Sequence, residues 1–116
     1  MKLSGMFLNN VCASSKYMYA LSSGAVVYRI GLDGSVLSVK IPHATARDAY
    51  ITANEKGVYV CADANMIYGF NDNLELLNGY PLTGWGYPVF ADVNGDKVDD
   101  CISLTLDNKI SVWNLR

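Results

Sequence analysis

The side chains best able to do chemistry lie in one short run. Asp92, Asn94, Asp96 and Asp100 stand at positions 1, 3, 5 and 9 of the loop Asp92-Val93-Asn94-Gly95-Asp96-Lys97-Val98-Asp99-Asp100. Oxygens at alternate positions, with the backbone carbonyl of Val98 at position 7, make the kind of ligand set that a calcium ion of six to eight oxygens takes. Four of the chain's 11 acidic residues (Asp92, Asp96, Asp99 and Asp100) fall in this loop, and only Lys97 opposes them. Like charges this close repel, and a bound divalent cation reverses the sign of that interaction. The alternative is a solvated Asx-type turn with no metal. An EF-hand is excluded, because it needs Gly at loop position 6 and Glu at position 12, between helices. Here those positions hold Lys97 and Ser103.

Elsewhere the chemistry is sparse. No nucleophile–base pair and no Gly-rich phosphate loop occurs. His43, the only imidazole, follows Pro42 and reads as an exposed loop residue. Cys12, Cys61 and Cys101 form no CxxC pair and sit in apolar runs, so they read as buried free thiols. Arg29, Lys40 and Arg47 could meet an acidic sugar, but read as solvated surface cations. A net charge of −2 with scattered Lys and Arg gives no footprint for nucleic acid. No run approaches the ~18 apolar residues of a membrane span, so no membrane insertion is expected. Residues 1–10 are too polar for a convincing signal peptide, so a secreted parent would carry its signal outside this chain.

The elements that must hold the acidic loop are strands. With 51% hydrophobic and 17% charged residues in 116, the chain is globular and long enough for one modest core. It is also repetitive. Residues 19–30 align with 59–70 at an offset of 40 (59 − 19), each segment a strand, a small turn and a second strand. Asp33-Gly34 and Asp72-Asn73 then supply hairpin turns. A third copy aligns Leu104 to Asn114 with Val60 to Phe70 at an offset of 44 (104 − 60), with four extra residues falling at the acidic loop.

Strands are therefore expected at about 8–13, 17–22, 25–30 and 35–41 in a first unit of residues 8–42. A second unit, 46–82, holds strands at about 49–53, 58–62, 66–70 and 74–77. A third, 86–116, holds strands at about 87–92, 101–106 and 110–115 and lacks a fourth. Four short strands every 40 to 45 residues is the signature of a propeller blade. The expected fold is all-β: a partial β-propeller of just under three four-stranded antiparallel blades.

The third unit resembles an FG-GAP or VCBS-type β-propeller repeat, the kind also present in integrin α-chain propellers. The resemblance rests on Val89-Phe90-Ala91-Asp92-Val93-Asn94-Gly95-Asp96-Lys97-Val98-Asp99-Asp100-Cys101-Ile102 and on the upstream Gly79-Tyr80-Pro81. It implies calcium ligands at Asp92, Asn94, Asp96, the Val98 carbonyl and Asp100. Lys97 departs from the pattern, which usually has Gly there. The first two units look like generic or quinoprotein-type blades. The end of the chain also looks like a WD-repeat blade, but no Gly-His opening is present.

Propellers close with four to eight blades, so completion by further blades or by copies of the chain is expected. One candidate for the missing strand is residues 2–7. The leading functional expectation is a non-catalytic, calcium-stabilised propeller segment that binds a protein or glycan, or acts structurally, in an extracellular or cell-surface protein. The alternative is a fragment of a propeller enzyme such as a polysaccharide lyase or a quinoprotein. Tyr80, Trp85 and Tyr87, clustered around Gly84 and Gly86, read as blade packing rather than as a sugar platform.

Overall fold

A computed structural model describes residues 8–22, 24–41, 50–62, 66–104 and 109–114, with backbone alone at 8, 9, 62 and 85–87. All its regular elements are strands. β1 (Leu8–Ala13), β2 (Met18–Ser22), β3 (Val26–Ile30) and β4 (Val36–Lys40) form one antiparallel sheet in chain order. β5 (Tyr50–Asn54), β6 (Gly57–Ala62), β7 (Met66–Phe70) and β8 (Leu82–Thr83) form a second. β9 (Trp85–Ala91), β10 (Asp100–Leu104) and β11 (Ile110–Trp113) form a third, of three strands. Residues 2–7, His43 and Arg47 lie outside the described residues, as do the side chains of Trp85 and Tyr87.

The sheets stack in order, and the first strands of neighbouring sheets lie side by side, β1 against β5 and β5 against β9. Alternation along each strand decides which face meets which neighbour. Tyr19, Leu21 and Val27 of the first sheet meet Ile51, Val58 and Val60 of the second in one core. Tyr59, Cys61 and Ile67, on the second sheet's other face, meet Cys101, Phe90 and Trp113 of the third. The second sheet is thus apolar on both faces.

Strand pairing confirms one repeat offset and corrects the other. Met18 pairs with Ile30 and Val58 with Phe70, an offset of 40 in both strands (58 − 18 and 70 − 30). Cys101 pairs with Trp113, so the third unit stands 43 residues from the second (101 − 58 and 113 − 70), not 44. One residue matters here, because a slip of one inverts every side chain. An offset of 44 would turn Ile102 and Leu104 toward the second sheet. At 43 the small residues Cys101 and Ser103 turn that way and are buried, while Leu104 is exposed.

The expected strand at 74–77 is also corrected. Leu74 takes a left-handed φ of 58° and drops into the core. Asn71 Oδ1 accepts the N–H groups of Asn73 and Glu75, both at 2.9 Å, which curls the chain away from β7. Only Leu76 bridges back, to Phe70. The fourth strand is formed later, by Leu82 and Thr83 against Ile67 and Met66.

Polar contacts join the first two sheets at one end. Tyr19 Oη donates to Asp72 Oδ1 at 3.0 Å, and Arg29 Nη1 donates to the Asp72 carbonyl at 2.6 Å. The Arg29 guanidinium also covers the Tyr17 ring at 4.5 Å. Arg29 is a structural cation between sheets rather than a solvated one. None of the three cysteines is in a disulfide; Cys61 and Cys101 are buried and Cys12 is half-buried. Burial pushes the Cys12 thiol up to about 11, so it is protonated and inert at neutral pH.

Candidate metal centre

The acidic loop joins β9 to β10, and its ends are fixed by the pairing of Ala91 with Asp100. Within it, side-chain oxygens take up backbone N–H groups in sequence. Asp92 Oδ1 accepts Gly95 N–H and Asp92 Oδ2 accepts Lys97 N–H, both at 2.8 Å. Asn94 Oδ1 accepts Asp96 N–H at 3.2 Å, and Asp96 Oδ1 accepts Val98 N–H at 3.0 Å. These are Asx-type turns, and together they curl the loop so that its carboxylates converge. Asp92, Asp96 and Asp100 each offer an oxygen within 4.8 Å of the other two. Two ligands of one calcium ion, each 2.3–2.6 Å from it, lie at most about 5 Å apart, so the three oxygens fit a single shell.

Asp100 is the one buried residue of the loop. Its side chain is 0% exposed. Oδ2 accepts Val93 N–H at 3.1 Å, but Oδ1 is buried with no hydrogen-bond partner. A buried ionised carboxylate with an uncompensated oxygen costs several kcal/mol unless a cation or donor meets it. Asp92, by contrast, is exposed. The backbone N–H of Lys97 above all, helped by that of Gly95, holds its carboxyl below the usual carboxylate range. A lowered native pKa means that this contribution is present above about pH 4, the unfolded value, and is lost as pH falls through the native one.

Of the five expected ligands, the structure gathers three side chains: Asp92, Asp96 and Asp100. Asn94 is tied to Asp96 N–H, and the role of the Val98 carbonyl stays an expectation. Asp99 and Lys97 point to solvent. Two backbone positions make the curl possible, Gly95 at φ 81° and Lys97 at φ 66°. The left-handed region costs an L-residue such as Lys97 on the order of 1 kcal/mol.

Beside the loop, a groove of about 390 Å³ opens between the second and third sheets. Its apolar wall is Tyr59, Tyr80 and Phe90, and Asn54, Asn78 and Asp99 line its rim. The Tyr59 and Phe90 rings are 4.3 Å apart, tilted by 42°. No spacing in the sequence announces this groove, because its residues come from four separate segments that only the sheet stacking unites. No family model, curated protein or solved structure matches the chain.

Proposed function

We propose that this chain is a calcium-binding β-propeller segment, its third sheet a blade of FG-GAP or VCBS type. Its role is binding or structural, within an extracellular or cell-surface protein. The observation that carries the calcium reading is the buried Asp100 Oδ1, which has no donor and lies in the cluster with Asp92 and Asp96. Asp92, Asp96 and Asp100 would hold the ion, with Asn94 and the Val98 carbonyl as further oxygens. The ion supplies charge neutralisation and ties the end of β9 to the start of β10; it performs no reaction. Three sheets stacked in chain order with adjacent first strands support the propeller reading. The groove beside the loop, aromatic on one wall and amide-rimmed, is the surface offered to a protein or glycan.

Thermal unfolding followed during calcium titration tests the metal. Binding to the native state alone stabilises it by about 2.7 kcal/mol at a hundred times Kd, a rise of roughly 8–12 °C for a domain of this size. Asp92→Ala should abolish the rise. No shift, or a shift that persists in Asp92→Ala, rejects the reading.

A further inference from the structure

Three Asx-Gly pairs occur in the chain: Asp33-Gly34, Asn78-Gly79 and Asn94-Gly95. In each, the backbone nitrogen of the glycine can reach the side-chain carbonyl carbon before it, and glycine, having no Cβ, leaves the approach unhindered. Attack by that nitrogen on an asparagine amide closes a succinimide ring. The nitrogen must give up its proton, and the peptide must rotate toward the side chain. A hydrogen bond from the glycine N–H opposes both. In two of the pairs that bond is present. Gly34 N–H donates to the Gly31 carbonyl at 3.1 Å, and Asp33 Oδ1 also accepts the Ser35 N–H and hydroxyl, at 3.0 and 2.7 Å. Gly95 N–H donates to Asp92 Oδ1 at 2.8 Å, and Asn94 Oδ1 accepts Asp96 N–H at 3.2 Å. The carboxylates of Asp92, Asp96 and Asp100 gather at the same place, and their charge disfavours a nitrogen that must itself become anionic.

Asn78-Gly79 is held differently. It forms the centre of a turn closed by Tyr80 N–H on the Leu77 carbonyl at 3.2 Å, with Gly79 at φ 89°. That geometry asks for glycine at the second central place. Both residues are exposed. Among the described residues no hydrogen bond reaches the Asn78 side chain or the Gly79 N–H. The turn bond spans the pair without holding the peptide between them. We propose that Asn78 is a self-modification site, at which the Gly79 nitrogen attacks Asn78 Cγ. The proton of that nitrogen goes to solvent base, the new N–Cγ bond replaces the Cγ–Nδ2 bond, and the amide leaves as ammonia. Water then opens the ring at either carbonyl, giving aspartate or isoaspartate at position 78. The chemistry calls on no oxidant, metal or partner. Asn78 lines the groove between the second and third sheets together with Glu55, Lys56 and Asp99. Conversion therefore adds a third carboxylate to a lining with one lysine, and turns the groove against anionic ligands. The reaction depends on neither the calcium nor the propeller reading; its effect on ligands rests on the groove's proposed binding role.

Peptide mapping by mass spectrometry tests this on the 116-residue chain, aged at mildly alkaline pH in heavy-oxygen water with chelator present. Cleavage after Trp85 or Phe90 separates Asn78 from Asn94. The Asn78 peptide should show the amide-to-acid mass change with label incorporated, as a mixture of aspartate and isoaspartate. It should convert about tenfold or more faster than the Asn94 peptide, the effect of one charge-assisted hydrogen bond on the barrier. In denaturant the two should convert at similar rates, since each is then an Asn-Gly pair in an open chain. An Asn94 peptide that keeps pace in the folded chain overturns the proposal. So does an Asn78 peptide that converts only in denaturant, or one that yields aspartate without isoaspartate, the mark of direct hydrolysis. Because chelator is present throughout, none of these outcomes bears on the metal reading.

Discussion

The turn between β5 and β6 and the loop between β9 and β10 occupy the same place in successive sheets, and they solve it differently. In the second sheet Asn54 pairs with Gly57 across two residues, Glu55 and Lys56. In the third sheet Ala91 pairs with Asp100 across residues 92–99. The short turn is closed by backbone and by Asn54 Oδ1, which accepts Lys56 N–H at 2.9 Å. Glu55 is held by Ser15 Oγ at 2.9 Å from the equivalent turn of the first sheet. The long loop is closed by a relay of carboxylates and an amide, and it ends on a buried charge. The first depends on shape alone, whereas the second depends on charge.

The two should therefore break in different ways. The largest effect is expected at Gly57, whose φ of 155° and close approach leave no room for a side chain. A Cβ there would overlap the Phe70 carbonyl oxygen. Gly57→Ala should cost about 3 kcal/mol or more by denaturant unfolding, and by the same amount with or without calcium. Asp100, at the equivalent position of the third sheet, should depend on the buffer. Asp100→Asn removes the buried unpaired charge, so with chelator it should raise stability, on the order of 1–3 kcal/mol. In saturating calcium it should lower stability, because it takes away a ligand. The same sign in both buffers would show that no ion balances that carboxylate. The smallest effect is expected for Lys97→Gly, which relieves a left-handed lysine. It should stabilise by up to about 1 kcal/mol and strengthen calcium binding by removing an opposing charge, both readable from one titration series.

Much of this was legible in the chain itself. Ten of the eleven strands lie where alternation and turn residues put them, because Asp33-Gly34 and similar turns interrupt apolar runs cleanly. The acidic loop was legible for the same reason: its spacing is local. The third unit's register was not. Cys101 and Ser103 are the buried pair, yet Ile102 and Leu104 are the more apolar one, so hydrophobic matching favours the wrong face. The fourth strand of the second sheet was hidden by Leu74, which enters the core from a turn rather than from a strand. The burial of Asp100 could not be read from spacing, since it depends on how the loop folds back over that side chain, with Val93 N–H reaching its Oδ2.

The middle sheet has a consequence for how the molecule tolerates change. Along β6, Val58 and Val60 look toward one neighbour, and Tyr59 and Cys61 toward the other, all within 2% of full burial. Such a strand has no alternate position free to accept a charge, so four successive residues are closed to polar substitution. β4, exposed at most of its positions, can drift in sequence almost freely. Sequence variation among functional variants should thus be concentrated at the outer margins of the stack and nearly silent along its central ribbon.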